Sequence, residues 1–131
     1  MKETVIRVLK VMPDEEPVMV SLTNELEALQ DAVSSECEER GLIEIVPLSD
    51  EVCILCNEEG KLLMLKPNRS IDFDVICGVF YVTGQDEEGN LCSLSEEAVA
   101  HYQRHFAVGG PGDIIHYFLS RMGGFLEGDL Q

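Results

Sequence analysis

Positive charge is what this sequence has least of: nine Lys and Arg face twenty-five Asp and Glu, a formal charge of −16. Phosphate backbones and anionic membrane surfaces repel such a chain, so direct binding to nucleic acid or to a membrane is not expected. Long apolar runs are missing too. None reaches eighteen residues, which excludes a transmembrane helix. The opening Met1-Lys2-Glu3-Thr4 lacks the apolar core of a signal peptide, and the expected location is the cytoplasm. In that setting the five cysteines, an odd number, read as reduced, buried thiols rather than a disulfide framework. Signatures of several enzyme classes are also absent. There is no Gly-x-Ser-x-Gly elbow and no His-Glu-x-x-His pair, and Gly109-Gly110-Pro111-Gly112 lacks the Lys-Ser/Thr of a phosphate loop.

What is present is β-forming. The 131 residues are 45% hydrophobic, enough for one domain with its own core. From Leu42 to Gly84 the chain reads as the centre of a sheet. Ile43 to Leu48, Val52 to Cys56, Leu62 to Leu65 and Val75 to Val82 are apolar, β-forming runs punctuated by Gly, Asn and Pro. They are nearly continuous rather than alternating, so both faces of these strands are expected to be covered.

Ahead of this centre, Thr4 to Val11 alternates as a strand with Arg7 outward, and Val18 to Leu22 returns as its hairpin partner across an acidic, Pro-rich turn. Asn24 suits a helix N-cap with Glu27 completing a capping box, and Leu22, Leu26, Leu29 and Val33 make one stripe of a helix ending near Gly41. That helix carries Glu25, Glu27, Asp31, Glu36, Glu38 and Glu39 with no base before Arg40. Acids favour its N-terminal turns, but the crowd near its C-terminus opposes the helix dipole. After a second acidic hairpin loop, Gln85 to Asn90, Ser95 (or Ser93) caps a helix reaching about Phe106. Val99, Tyr102 and Phe106 form its stripe.

Ile43-Glu44-Ile45-Val46-Pro47-Leu48, Cys56-Asn57-Glu58-Glu59-Gly60-Lys61-Leu62 and Pro67-Asn68-Arg69 together resemble a family of small bacterial and phage proteins. So do Asp74 to Thr83 around Gly78, and Asp86-Glu87-Glu88-Gly89 ahead of Leu94-Ser95. The family is domain of unknown function 3846, and the resemblance runs from Val5 to Phe106. It implies carriage on phages and mobile elements, with no established activity, and so favours host-interaction roles.

Few constellations could carry chemistry. Cys53-x-x-Cys56 has metal-ligand spacing, but in a strand residues three apart face opposite sides. Glu97, His101 and His105 share one helix face, opposite Val99 and Tyr102, and read as hydrated surface. Neither group is assigned a metal, and no catalytic residue or cofactor is assigned. Lys61, Lys66 and Arg69 gather three of the nine positive charges beside Asn57 and Asn68. Arg grips carboxylate or phosphate bidentately, so the group suits a small anion; its plainer reading is that Arg69 pins the chain and the asparagines make turns.

The expected fold class is α+β: a mixed, mostly antiparallel sheet of about six strands, two main helices and a short C-terminal helix. Residues 1–108 form the domain, and 109–131 a Gly-hinged helical tail, packed or used for a homodimer. The expected function is a non-enzymatic accessory protein of a phage or mobile element, acting on a host protein. In its concrete form, Glu27, Asp31 and Glu38, with the two acidic hairpin turns, imitate DNA in a basic groove of a host nucleic-acid enzyme. The plain account of the same acidity is solubility. The alternative function is an anionic-ligand binder or enzyme centred on Asn57, Lys61, Asn68 and Arg69.

Overall fold

A computed structural model describes residues 3–72 and 74–119 of the chain. Its elements run β1 (Val5–Val11), β2 (Val18–Thr23), α1 (Leu26–Val33), β3 (Ile43–Pro47) and β4 (Val52–Asn57). They continue with β5 (Pro67–Ile71), β6 (Asp74–Cys77), β7 (Phe80–Gln85), β8 (Leu91–Cys92) and α2 (Glu96–His105). Residues 114–119 add a short C-terminal helix. The class is α+β. A six-stranded sheet has the order β2-β1-β7-β4-β3 with β8 on β7, and β5 and β6 form a separate hairpin. Every strand pairing among the described residues is antiparallel. None of their helices is long and apolar enough to cross a membrane.

The continuous apolar runs are central strands covered on both faces. All of β4 is buried, and so is β7 up to Gln85. One face (Ile6, Val8, Cys53, Leu55, Tyr81) packs on Leu29 and Val33 of α1. The other (Leu9, Val11, Ile54, Cys56, Phe80, Val82) packs on Ile76, Leu94 and Phe106, with Val99 and Tyr102 of α2 alongside. Phe80 and Phe106 meet edge to face with centroids 5.3 Å apart.

The Val75–Val82 run is two strands, not one. Gly78 turns the chain at φ +86°, so β6 joins the hairpin and β7 the main sheet. Leu62 to Leu65 is no strand either. Leu63 N–H donates to Glu59 O and Leu65 N–H to Gly60 O, which closes a compact turn that leaves Leu62 and Met64 exposed.

The first helix is shorter than its acidic sequence suggests. It ends at Val33, and the chain turns through Ser34 to Cys37 instead of running to Gly41. Asn24 does not cap it. The residue at the N-cap is Glu25, without a side-chain bond, while buried Asn24 donates to Glu3 O and Leu91 O. At α2, Ser95 Oγ accepts from Ala98 N–H at 3.1 Å as its sequence requires.

Candidate functional site

The basic cluster does not converge on a ligand position. Lys61 pairs with Asp74 and Lys66 with Asp14, both in solvent. The Lys61 ammonium, with the Val75 N–H, holds the Asp74 carboxyl below its ordinary range, and the same bond raises Lys61. Arg69 instead lies inside, 2% exposed. Its Nε donates to Phe106 O at 2.9 Å and its Nη2 to Glu15 O at 2.6 Å. Its Nη1 reaches Asn68 Oδ1 at 2.8 Å and the carbonyls of Asn68 and Met12. Burial lowers the guanidinium pKa against the pull of Asp113, Glu16 and Asp14; Arg nonetheless stays charged in proteins.

The asparagines are equally committed. Asn68 Nδ2 donates to Val11 O at 2.9 Å and Gly78 O at 2.8 Å. Asn57 Nδ2 reaches Val33 O and Ser34 Oγ, both at 3.4 Å, and its Oδ1 accepts from Glu59 N–H at 2.9 Å. These groups tie the first hairpin, β4, β5, the turn at Gly78 and the ends of both helices together. Arg69 and Asn68 therefore act as internal struts.

The acids are also partly spent. With α1 cut short, Arg40 folds back so that its Nε lies 2.6 Å from Asp31 Oδ1, and its Nη1 3.9 Å from Glu27 Oε1. Glu38 is exposed on the turn beyond α1. Glu36 Oε1 accepts from Val79 N–H at 2.6 Å. In the first acidic turn Asp14 pairs with Lys66, and Glu16 accepts from Val108 N–H. In the second, Asp86 Oδ1 accepts from the N–H groups of Glu88 and Asn90, leaving Glu87 and Glu88 outward.

Two open clefts collect what remains. The first, about 670 Å³, lies between β3, β4 and the β5–β6 hairpin. Val46, Cys56, Ile71 and Ile76 give it an apolar floor, and Glu44, Glu58, Asp72 and Asp74 stand around it against a single base among the described residues, Lys61. Asn57 also lines it, while Asn68 and Arg69 do not. The second, about 560 Å³, sits at the opposite end of β4 and is lined by Asp50, Glu51, Asp86 and Glu87, with no basic residue among the described residues. Both clefts suit a cation better than an anion.

Cys53 and Cys56 belong to opposite core faces and cannot share a metal. Burial, helped by Glu44, pushes the Cys56 thiol up to about 12, which rules it out as a nucleophile at neutral pH. His101 and Glu97 are in solvent, but His105 is half-buried against Phe106; burial and the neighbouring His101 lower its pKa.

Residues 6–107 match the family model described as Domain of unknown function (DUF3846). The chain is a DUF3846 protein. No curated protein and no solved structure matches it. The DUF3846 match contains both clefts and the Arg69 strut, and it ends just ahead of the C-terminal segment. Part of that segment is firmly held: Ser70 N–H donates to Gly112 O at 2.9 Å, and the backbones of Arg69 and Asp113 form an isolated antiparallel β-bridge. Beyond it Ile115, Phe118 and Leu119 are about half exposed, while 120–131, which include the rest of the expected tail, lie outside the described residues. Sequence reasoning missed the first cleft because Glu44, Glu58, Asp72 and Asp74 come from separate elements. The single charge inside the β-branched run Ile43 to Val46 was the available signal.

Proposed function

We propose that this DUF3846 protein works by contact rather than catalysis, offering an acidic surface to a basic partner protein. The observation that carries this reading is the fate of its positive charges. Among the described bases, Arg40, Lys61 and Lys66 are each paired to a carboxylate and Arg69 is buried. Only Arg7, Lys10 and Arg104 remain to oppose the acids, so the field outside the molecule is negative over most of its surface.

In its concrete form the protein is an accessory of a phage or mobile element that occupies a DNA-binding groove of a host nucleic-acid enzyme. The acids concerned are Glu27, Asp31 and Glu38, joined by the Asp50–Glu51 and Asp86–Glu87 end of the sheet. Immobilised protein then retains a nucleic-acid enzyme from host lysate, released both by salt and by duplex DNA. Its inhibition of that enzyme is competitive with DNA and weakens steeply with salt. Salt-insensitive inhibition, or full inhibition by a variant with Glu27→Gln, Asp31→Asn, Glu38→Gln, Asp50→Asn and Glu87→Gln together, refutes the mimicry.

The cleft beside Asn57 and Lys61 supports a second reading, a small-ligand site. Its four carboxylates against one lysine favour a cationic ligand over the anion expected from Lys61 and Arg69. A thermal shift with spermidine but not with citrate supports it; the reverse pattern removes it.

A further inference from the structure

We infer that the free edge of β3 is a docking strand for an extended segment of a partner protein that alternates apolar and basic side chains. The inference rests on the contact reading above and adds, apart from the acids named there, a second place where a basic partner is held. β3 ends the sheet order, so one of its sides has no strand among the described residues. The bonds Leu48 N–H to Val52 O and Glu58 N–H to Leu42 O fix the antiparallel register. Even-numbered residues of β3 exchange bonds with β4, as in the pairs Glu44↔Cys56 and Val46↔Ile54. The N–H and C=O groups of Ile43 and Ile45 therefore point outward, away from the sheet.

Proteins normally blunt such an edge with lysine, a bulge or a covering element. Among the described residues this edge carries no lysine, bulge or covering element, only Glu44 and, at its far end, Pro47. Ile45 is 51% exposed and Leu42 59%. A strand added here would place alternate side chains on the two faces of the sheet. On one face they meet Ile43 and Ile45, which calls for apolar groups. On the other they enter the first cleft over Val46, where Glu44, Asp72 and Glu58 call for Lys or Arg. The same charges argue against a second copy of this chain, whose β3 would bring a second Glu44 and another −16 to the interface.

The test uses the full chain and a synthetic peptide alternating valine and lysine, with a block-ordered peptide of the same composition as control. The alternating peptide binds roughly tenfold more tightly by fluorescence anisotropy, and it slows amide exchange at Ile43 and Ile45, as a new ladder requires. Ile45→Pro removes an outward N–H, which an edge strand tolerates, together with the exposed Ile45 side chain, and abolishes the preference. Ile45→Lys, a surface exchange, does the same. If the two peptides bind equally, or exchange at Ile43 and Ile45 stays fast, the edge is not the site, though the acidic-surface reading stands. If neither peptide binds, the edge inference falls, while the acidic-surface reading is decided by the salt dependence of its inhibition. Protection of the two amides without peptide, in a species sedimenting as a dimer, overturns the inference in favour of self-pairing.

Discussion

Arg69→Ala should be among the most damaging substitutions in this protein, and its cost can be worked from the bonds it removes. The guanidinium satisfies the carbonyls of Phe106, Glu15 and Asn68, which belong to α2's end, the first hairpin and β5. The two bonds made deepest, to Phe106 O and Asn68 O, leave orphaned acceptors at about 1–3 kcal/mol each. Against this, the unfavourable desolvation of the buried cation disappears with it. The net loss is about 3–4 kcal/mol, a large part of the roughly 5–15 kcal/mol typical of a domain. At this chain length it corresponds to a fall in Tm of roughly 10–15 °C. Arg69→Lys keeps the charge but cannot fork to three segments, so it recovers only a minor share. Urea unfolding followed by far-UV circular dichroism measures both variants. A loss below about 1 kcal/mol for Arg69→Ala, with unchanged m, would refute the strut and return the guanidinium to the pool of possible ligand groups.

Glycine substitutions separate backbone strain from packing. Gly78→Ala and Gly89→Ala both meet φ +86°, but a Cβ at 78 would stand 2.7 Å from Leu65 Cδ1, and one at 89 touches nothing. Gly89→Ala should cost about 1 kcal/mol and Gly78→Ala at least about 1 kcal/mol more, measured by thermal denaturation. Native protein treated with iodoacetamide near neutral pH should leave Cys53 and Cys56 unlabelled by mass spectrometry until urea unfolds it. Burial and the raised thiol pKa, about 12 at Cys56, both oppose reaction. The Lys61–Asp74 pair has a pH window with two signs. Asp74 is depressed, so its contribution is present above its ordinary value of 3.8 and lost as pH falls through the lowered one. Lys61 is raised, so its contribution is present below 10.5 and lost as pH rises through the raised value. Lys61→Met should therefore differ from the parent only inside that window, and by no more than about 0.5 kcal/mol because the pair is exposed.

The legible parts of the fold were those written in local pattern. β4 and β7 announce burial on both faces through unbroken apolar residues, and Ser95 announces the start of α2 by its hydroxyl ahead of two acids. What stayed hidden depends on contacts far apart in sequence. Asn24 looks like a cap, yet its amide is taken by Leu91 O, 67 residues away. Leu29 and Val33 continue a helical stripe, but the chain breaks off at Ser34, whose hydroxyl is needed by Gly41 N–H and Asn57. Val75 to Val82 reads as one strand until Gly78 adopts a left-handed conformation and hands the two halves to different sheets. The candidate sites divide likewise. Composition shows an excess of acid, but only the tertiary fold shows Arg40 covering Asp31 and Arg69 withdrawn into the core.

That withdrawal has a consequence for why the acids are there. The core is built from apolar clusters and buried struts, so the outward acids add nothing to it and repel one another. Asp50, Glu51 and Glu87 line one cleft that has no base among the described residues. At separations of about 10 Å in water each pair costs roughly 0.4 kcal/mol, near 1 kcal/mol for the three pairs before screening. Asp50→Asn, Glu51→Gln and Glu87→Gln together should therefore stabilise the protein, raising Tm by about 3–5 °C at 10 mM salt. At 1 M salt, where the screening length is about 3 Å, the gain should vanish. If the same variant binds the basic partner more weakly, stability has been held below its attainable value in exchange for contact, the trade expected of a binding surface. If it gains stability and binds unchanged, these three acids serve solubility alone, and the contact must lie elsewhere, with the β3 edge and its cleft as the place to look.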